Sequence, residues 1–325
     1  MSYRRLFVFI TLLSVSLPFS LFAQTTPQRQ IAITIDDLPA ARWNSMTGTE
    51  IIELNSKLLA TLREQKVPAV GFVNERKLYK LGEVDDRIKA LNLWPDNGFE
   101  LGNHTFAHTS LNRVTLQAWE EEVVRGETVT RILLAQHKMK LRYFRHAYLD
   151  TGRDLQTRRE AEAFLVSRGY RIAPITMDAW DWMFDRVYDD ARKRGDAALQ
   201  QQIVSAYLEY TGEVFDYYEK LSQELIGYEP KQILLLHVGW LEADHIAELF
   251  ALLRKRGYQF VSLEDALEDS AYSMPDEFVA DGGTGWLERW AITRGRPPQK
   301  TPECPQWVID RAKAVPHEPP EPPNF

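Results

Sequence analysis

The sequence predicts an α/β fold whose parallel sheet closes in a barrel-like manner, as three observations indicate. Short apolar runs typical of buried strands alternate with helical patterns along most of the chain. These repeated β-then-α units imply parallel strands joined by right-handed crossovers. Seven strand candidates favour barrel-like closure over an open nucleotide-binding sheet, and no G-x-G-x-x-G turn follows the first strand.

The predicted strands are apolar runs, and the predicted helices lie between them. The strands are expected at residues 31–35, 67–73, 99–103, 141–144, 171–176, 233–237 and 259–263. The helices are expected at residues 50–65, 85–93, 116–136, 154–168 and 243–256, with a long polar-rich helical region at 186–226. In the helix at 116–136, apolar side chains recur near the 3.6-residue period at Leu116, Trp119, Val123, Ile132 and Leu133.

Charged and titratable residues stand at the carboxyl ends of five predicted strands. These residues are Asp36 and Asp37 (first strand), His104 (third), Arg145 (fourth), Asp178 (fifth) and His237 (sixth). Because active-site residues of (β/α) barrels lie at the carboxyl ends of the strands, we expect these side chains to meet in one site.

The aspartate pair and two histidines have the composition of a metal site. His104 and His108 are four residues apart, a spacing at which two imidazoles reach one metal ion. With one aspartate they make three protein ligands, and a catalytic zinc site uses three and leaves the fourth position open. The second aspartate is then available as a base, so these residues predict a metal-dependent hydrolase. The alternative for the aspartates is a solvated loop or a helix N-cap.

Three further segments carry side chains suited to the same chemistry. Arg145 can hold an aspartate in its charged state, although a surface ion pair gives the same pattern. Residues 178–182 contain two acids and two tryptophans, whose indole faces suit sugar rings but are also common in cores. His237 is suited to protonate a leaving amine or alcohol, unless it is a hydrogen-bonded structural histidine.

The composition excludes some classes of partner. The formal net charge is −7 and no segment is strongly basic, which argues against nucleic acid and anionic membrane surfaces. The single Cys304 excludes an internal disulfide framework.

Residues 1–23 have the pattern of an export signal. Arg4 and Arg5 precede a mostly apolar stretch that ends at Pro18, and Ala23 precedes the expected cleavage site. The stretch is shorter than the roughly 20 apolar residues that a membrane span needs. We therefore expect a periplasmic or secreted protein without stable membrane insertion after cleavage.

The alternating pattern stops after about Asp269, which suggests where the catalytic domain ends. We expect this domain at residues 24–270 and an extension rich in Trp and Pro at residues 271–325. The extension is expected to pack on the domain through Trp286, Trp290 and Trp307, and its proline-rich end at 316–323 is expected to be disordered.

Five segments, in this order, resemble the motifs of the polysaccharide deacetylase family, also known as carbohydrate esterase family 4 or the NodB homology domain. Residues 34–37 (TIDD) resemble T-F-D-D, residues 104–108 (HTFAH) resemble H-[ST]-x-x-H, and residues 144–148 (FRHAY) are similar to F-R-P-P-Y. Residues 178–182 (DAWDW) resemble D-x-x-D-W, and residues 236–237 stand where L-H is expected. The resemblance spans roughly residues 31–263 and implies a distorted (β/α)7 barrel.

The resemblance also implies a role for each of these residues. Asp37, His104 and His108 would bind a divalent metal, usually zinc, or another such as cobalt or nickel. Asp36 would be the catalytic base, and Arg145 with either Asp178 or Asp181 would tune it. His237 would be the general acid, Trp182 would line the pocket, and the backbone N–H of Tyr148 would help to hold the oxyanion.

The expected activity is removal of an acetyl group from an acetylated carbohydrate. The resemblance favours N-deacetylation of a cell-wall or extracellular polysaccharide, a reaction at a non-peptide carbon–nitrogen bond. Three departures leave the substrate open: Leu38–Pro39 follows the first motif in place of glycine, His146–Ala147 replaces two prolines, and the region 186–226 could cover part of the groove. The alternatives are an O-acetyl esterase, a hydrolase of a non-sugar amide, or a glycan-binding module without turnover.

Overall fold

The computed structural model describes residues 29–316. The predicted export signal at 1–23 and the chain from residue 317 onwards lie outside the described residues.

The described strands form one parallel sheet. They are β1 (Arg29–Leu38), β2 (Ala69–Val73), β3 (Glu100–Asn103), β4 (Tyr143–Phe144), β5 (Arg171–Ile172), β6 (Met177–Asp178), β7 (Gln232–His237) and β8 (Tyr258–Phe260). Their order is β5-β4-β3-β2-β1-β7-β6, and β8 pairs with the first residues of β1. The sheet curls and helices surround it, so the predicted distorted (β/α)7 barrel is confirmed.

The prediction of a single strand at 171–176 is wrong, because the chain forms two short strands there on opposite edges of the sheet. The N–H of Ala173 donates to a carbonyl of β4 at 2.8 Å, whereas the N–H of Thr176 donates to a carbonyl of β7 at 2.9 Å. Pro174 lies between them and has no N–H with which to continue a ladder. Residues 173–176 therefore carry the chain across the gap between the two sheet edges, and Asp178 ends β6 beside β7.

The α-helices of the described residues connect the strands or follow them. They are α1 (Gly48–Glu64), α2 (Val84–Asp96), α3 (Leu116–Arg125), α4 (Thr128–Gln136), α5 (Leu155–Ser167), α6 (Asp181–Lys193), α7 (Ala197–Ile226), α8 (Trp240–Lys255), α9 (Leu263–Ala266), α10 (Trp286–Thr293) and α11 (Gln306–Ala314). Local sequence sets several of their ends. α1 begins with a capping box formed by Thr47 and Glu50, and α7 ends at Gly227 in the left-handed conformation.

Two helical predictions differ from the structure. The predicted helix at 116–136 is divided into α3 and α4 at Gly126, whose backbone packs against the loop after β3. Ile132, which was expected on the apolar stripe, is consequently 56% exposed. The region 186–226 contains two helices, and the first of them, α6, already begins at Asp181.

The predicted C-terminal extension packs on the barrel. Trp286 and Trp290 are buried, and Trp307 packs against the same core while remaining partly exposed. The backbone N–H of Trp286 donates to the carbonyl of Ile175 at 2.7 Å, within the segment that crosses the sheet gap. Among residues 29–316, no helix combines the length and apolar character that crossing a membrane requires.

Candidate active site

The predicted site residues converge around one cavity at the carboxyl ends of the strands. The cavity has a volume of about 660 Å³, and eight of the ten predicted residues line it: Asp36, Asp37, His104, His108, Tyr148, Asp178, Trp182 and His237. The other two, Arg145 and Asp181, are fully buried and contact Asp36 and His237, respectively.

An irregularity at the end of β1 allows two adjacent aspartates to reach the same cavity. The pairing of β1 with β2 shifts register between Ile35 and Leu38, and Asp37 has a left-handed φ of 73°. Regular strand alternation would place neighbouring side chains on opposite faces, and a bulge re-aims one of them. Asp36 and Asp37 consequently both line the cavity.

The two histidines lie in a loop after β3 that polar contacts hold in place. Nδ1 of His104 donates to the carbonyl oxygen of Arg145 at 2.9 Å, which leaves Nε2 as the lone-pair nitrogen. Thr105 and His108 have left-handed φ values of 64° and 56°, a conformation that surrounding contacts must enforce. Glu122 of α3 accepts a hydrogen bond from the backbone of this loop at 2.8 Å.

Asp37, His104 and His108 have the geometry and protonation of a metal-ligand set. Their ligand atoms all lie within 4.8 Å of one another. Burial lowers the pKa of both histidines to about 3, so both are neutral imidazoles. Burial would raise the pKa of Asp37, but the positive charge of Lys77 lowers it below its usual range. One carboxylate and two neutral imidazoles are donors that zinc and similar divalent metals bind, so the residues fit such an ion.

Asp36 lies beside this set and keeps one carboxylate oxygen available. Its Oδ2 lies 3.3 Å from Nη1 of Arg145 and 3.5 Å from Nε2 of His104. Its Oδ1 is buried and has no hydrogen-bond partner among the described residues. Arg145 is fixed because it donates to the carbonyl of Ala173 at 2.7 Å and to the hydroxyl of Thr34 at 2.9 Å. Burial raises the pKa of Asp36, and the Arg145 charge opposes that rise, so this carboxyl is suited to accept a proton.

His237 forms a hydrogen-bonded pair with Asp181 and stands opposite Asp36 on the neighbouring strand. Nδ1 of His237 lies 2.8 Å from one Asp181 oxygen, and the backbone N–H of His237 donates to the other at 2.5 Å. Burial would lower the pKa of His237, but the Asp181 carboxylate raises it to about 10. A cation at Asp37 would reduce this rise because it adds positive charge nearby. The imidazole therefore holds a proton that it can donate.

The two acids of the fourth motif have different neighbours. Asp181 bonds to His237, whereas Asp178 accepts a hydrogen bond from the N–H of Trp180 at 2.9 Å. Burial raises the pKa of Asp178 to about 6. Burial also lowers the pKa of Arg145, and the charges of Asp36 and then Asp178 oppose that fall. Asp178 therefore interacts with Arg145 through its charge, whereas Asp181 contacts His237 through hydrogen bonds.

Aromatic residues form the rim of the cavity. Tyr148 has a left-handed φ of 58°, and its ring centroid lies 4.3 Å from that of His108. Trp182 is 42% exposed and its ring lies 6.2 Å from the ring of Trp180. Exposed aromatic faces beside a polar cavity are suited to contact a sugar ring.

His146, which replaces a proline of the third motif, is a buried residue at the edge of the cavity. It is 1% exposed, and its ring stacks on that of Trp119 with the centroids 5.4 Å apart and the planes 8° apart. Burial lowers the pKa of His146 to about 3, so the ring packs there as a neutral group.

The sequence analysis missed Lys77, which contacts the candidate metal ligand directly. Its Nζ lies 2.8 Å from Oδ1 of Asp37 and 3.1 Å from the Asp37 carbonyl oxygen. Lys77 follows β2, so the same attention to residues after strand ends that identified the other site residues could have found it at residues 74–77.

Gly126 was also missed, and it permits the close approach of α3 to the histidine loop. A Cβ at this position would lie 2.8 Å from the backbone N of Phe106 and 2.8 Å from the carbonyl carbon of Thr105. Both atoms belong to the backbone between His104 and His108, so they cannot move without moving the histidines.

We expect Gly126→Ala to lower the free energy of unfolding by about 1–3 kcal/mol, the usual cost of overpacking, and to weaken metal binding. Urea unfolding and a chelator competition would measure the two effects. The control is Gly212→Ala in α7, where no atom lies within 4 Å of the added Cβ. That variant should be neutral or more stable by up to about 1 kcal/mol. Equal behaviour of the two variants would contradict the steric argument.

Comparison with known proteins agrees with this arrangement. Residues 23–164 match the family model described as Polysaccharide deacetylase. The matched range contains the segments at 36–37, 104–108 and 144–148, from which the structure builds the ligand set and the Arg145 contact. Residues 23–164 therefore carry the match to a polysaccharide deacetylase domain of the NodB type. Asp178 and His237, at the ends of β6 and β7, lie beyond the matched range.

Several solved structures are similar to this one in fold. The chitin deacetylase from the fungal pathogen Colletotrichum lindemuthianum has a TM-score of 0.50 and 20% identity, over 74% of this chain and 88% of that chain. Peptidoglycan deacetylase PdaC from Bacillus subtilis has a TM-score of 0.46 and 18% identity, over 74% and 92%. A CE4 family pseudoenzyme from Bacillus anthracis has a TM-score of 0.48 and 16% identity, over 74% and 66%. No curated protein sequence gives a significant match.

Proposed function

We propose that this protein is a metal-dependent deacetylase that hydrolyses the N-acetyl group of a carbohydrate. The observation that carries the proposal is the placement of Asp36 and His237 opposite each other on β1 and β7, next to the Asp37, His104 and His108 set. Hydrolysis of an amide requires one group that accepts a proton and another that donates one. Asp36 and His237 can supply these two groups, and both lie beside the proposed metal ligands within one cavity.

The metal proposed is zinc, or another divalent ion such as cobalt or nickel, held by Asp37, His104 and His108. Such an ion supplies a Lewis acid that polarises the acetyl carbonyl and acidifies a water molecule. Nδ1 of His104 is already fixed by the Arg145 carbonyl, so Nε2 is the nitrogen available to the ion.

The proton transfers fall to residues of this chain. Oδ1 of Asp36 accepts the proton of the attacking water, while Arg145 holds the other oxygen at 3.3 Å and keeps the carboxylate oriented. His237, oriented by Asp181, donates a proton to the departing nitrogen. The backbone N–H of Tyr148 is proposed to stabilise the oxyanion that develops on the acetyl group. Asp178 supports the charge of Arg145, and Trp182 contacts the sugar.

Acetate release tests this proposal. Purified protein would be stripped of metal and assayed on peptidoglycan, chitin oligomers, acetylated xylan and small N-acetyl amides, then assayed again with zinc, cobalt or nickel restored. We expect acetate from an N-acetylated sugar only when the metal is present. Absence of acetate from every substrate, with zinc bound stoichiometrically, would reject the proposal. Glycan binding without acetate release under any of these metals would instead favour a binding module.

A second candidate keeps the site and changes the substrate to an O-acetyl ester or a non-sugar amide. The replacement of the third-motif prolines by the buried His146 and Ala147 favours it, because these residues directly precede Tyr148 and His146 lines the cavity. Turnover of acetylated xylan or of the small amides that exceeds turnover of N-acetylated sugars would select this candidate.

We also propose that residues 1–23 direct export to the periplasm or the exterior, which would bring the site to a cell-wall or extracellular polysaccharide. In this organisation the catalytic domain occupies residues 24–270 and the extension follows it at 271–325. The N-terminal sequence and molecular mass of the mature protein would test the proposed cleavage after residue 23.

A further inference from the structure

Residues 283–288, which we call the C-terminal wall, line the active-site cavity next to the loop after β4. Thr284 and Glu288 contribute side chains to the lining. The wall also lies at the gap between the two sheet edges, because the N–H of Trp286 donates to the carbonyl of Ile175 at 2.7 Å. The predicted extension therefore lines the cavity at the gap that no strand pairing spans.

The wall contacts the loop that carries Tyr148 with no space between them. A Cβ on Gly283 would overlap the carbonyl group of Leu149 and the carbonyl oxygen of Tyr148, so only glycine fits this contact. The backbone N–H of Gly283 bonds to the carboxyl group of Asp150. The wall and the proposed oxyanion donor consequently form one packed unit.

Buried polar contacts hold the segment that leads into and out of the wall. Arg289 is fully buried, donates to the hydroxyl of Thr151 at 2.9 Å, and pairs with Asp276 at 2.8 Å. Arg158 of α5 pairs with Asp276 at 2.9 Å, and Asn112 donates to the carbonyl of residue 280 at 3.0 Å. Charge-assisted hydrogen bonds of this kind are short and strong, so the wall is a fixed boundary of the cavity.

The wall adds a boundary to the cavity at the gap between the sheet edges, where no strand end contributes. The other lining residues include Asp37 after β1, His108 after β3, Tyr148 after β4 and Trp182 after β6. A polymer that presents an internal unit needs two exits from the site, one for each arm of the chain. A wall packed against the Tyr148 loop on one side and the Ile175 segment on the other obstructs one of these exits, which favours a chain end or a small molecule.

Building on the function proposed above, we propose that the site takes an acetylated sugar at a chain end or in a short oligosaccharide, and that Glu288 binds a hydroxyl group of that sugar. The Glu288 side chain is partly buried, and one of its oxygens accepts a hydrogen bond from the hydroxyl of Thr284. A carboxylate has further lone pairs, and these accept hydrogen bonds from ring hydroxyls.

Binding of N-acetylglucosamine and its oligomers tests the proposal. Calorimetry on the zinc-loaded Asp36→Asn variant would compare the monomer, dimer, trimer and hexamer, so that turnover does not interfere. We expect the affinity to level off by the trimer, with less than about a two-fold gain from trimer to hexamer. Affinity that keeps rising to the hexamer, or no binding of any oligomer, would overturn the proposal.

A second variant tests the role of Glu288. In the same background, Glu288→Gln should weaken binding of the dimer about ten-fold, as expected for loss of a hydrogen bond to a charged group, with zinc affinity unchanged. Glu277→Gln, in an exposed position before the wall, is the matched control and should bind normally. Equal affinities of the two variants would overturn the role of Glu288. A different outcome would separate the two proposals. If the affinity levels off as expected but the zinc-loaded wild-type protein releases no acetate, the proposed deacetylation is rejected and the proposed preference for short oligosaccharides is retained.

Discussion

Asp36→Asn is expected to lower turnover by about 10²–10⁴-fold, the usual contribution of a general base, while zinc remains bound. The amide is nearly isosteric with the carboxylate but cannot accept the proton of the attacking water. Oδ1 of Asp36 has no hydrogen-bond partner among the described residues, so no other side chain is bonded to this oxygen that could accept the proton in its place. Asp37, His104 and His108 are unchanged in this variant, so the ion keeps its ligands.

The measurement is acetate release under saturating substrate, together with zinc stoichiometry and thermal unfolding of the same sample. Asp190→Asn, which alters a surface ion pair of Asp190 with Arg194, is the control for loss of an aspartate charge and should keep full turnover. Undiminished turnover of Asp36→Asn with zinc bound would show that Asp36 is not the base. Loss of zinc from this variant would assign Asp36 to metal binding instead.

The sequence predicted the positions of most strands and of the residues at their ends because both depend on local pattern. A strand buried in a parallel sheet is a continuous apolar run, and the polar residue that ends it is conspicuous. Asp36, His104 and His237 were found in this way, before the cavity that they line was known. Pro174 was also visible in the sequence, and attention to its missing N–H would have separated β5 from β6.

What the sequence did not reveal depends on contacts between distant segments. Gly126 looks like an ordinary helix residue until the backbone of Thr105 and Phe106 packs against it. The choice between Asp178 and Asp181 as the acid that acts with Arg145 could not be made from the motif, because it depends on which acid lies near Arg145 and which one bonds to His237. The packing of Trp286 was predicted, but the position of the wall at 283–288 beside the cavity was not, because it also depends on the backbone contact of Gly283 and the buried ion pair of Arg289.

Substitution of Lys77 is expected to have a large effect on both stability and metal affinity. Its ammonium group pairs with the carboxylate of Asp37, which is also a proposed ligand of the metal. Its side chain is 9% exposed, and the fully buried Arg87 donates to its carbonyl oxygen at 2.9 Å, so the position of Lys77 is fixed. In the absence of metal, this ion pair neutralises Asp37. With metal bound, the ammonium is a positive charge close to a dication and disfavours it.

We expect Lys77→Met to destabilise the metal-free protein by about 3–5 kcal/mol, since breaking a buried ion pair leaves a carboxylate without its partner. Zinc should restore much of this loss, because the ion supplies the missing positive charge. Zinc should also bind to this variant at least about ten-fold more tightly than to the wild type, because the repulsion between the Lys77 ammonium and the ion is removed. Two unit charges about 4 Å apart repel by about 4 kcal/mol at an effective dielectric constant near 20. The loss of the contact that positions Asp37 offsets only part of that gain.

Thermal unfolding with chelator and with zinc, and a chelator competition for the zinc dissociation constant, would measure these two effects without any substrate. Lys80→Met is the matched control, because Lys80 is partly exposed and pairs with Glu83 at 3.2 Å, away from the ligand set. Lys77→Arg should behave like the wild type in zinc affinity, since it retains the charge. If Lys77→Met and Lys80→Met gain the same stability from zinc, then Lys77 does not oppose the metal, and its contact with Asp37 only positions the carboxylate.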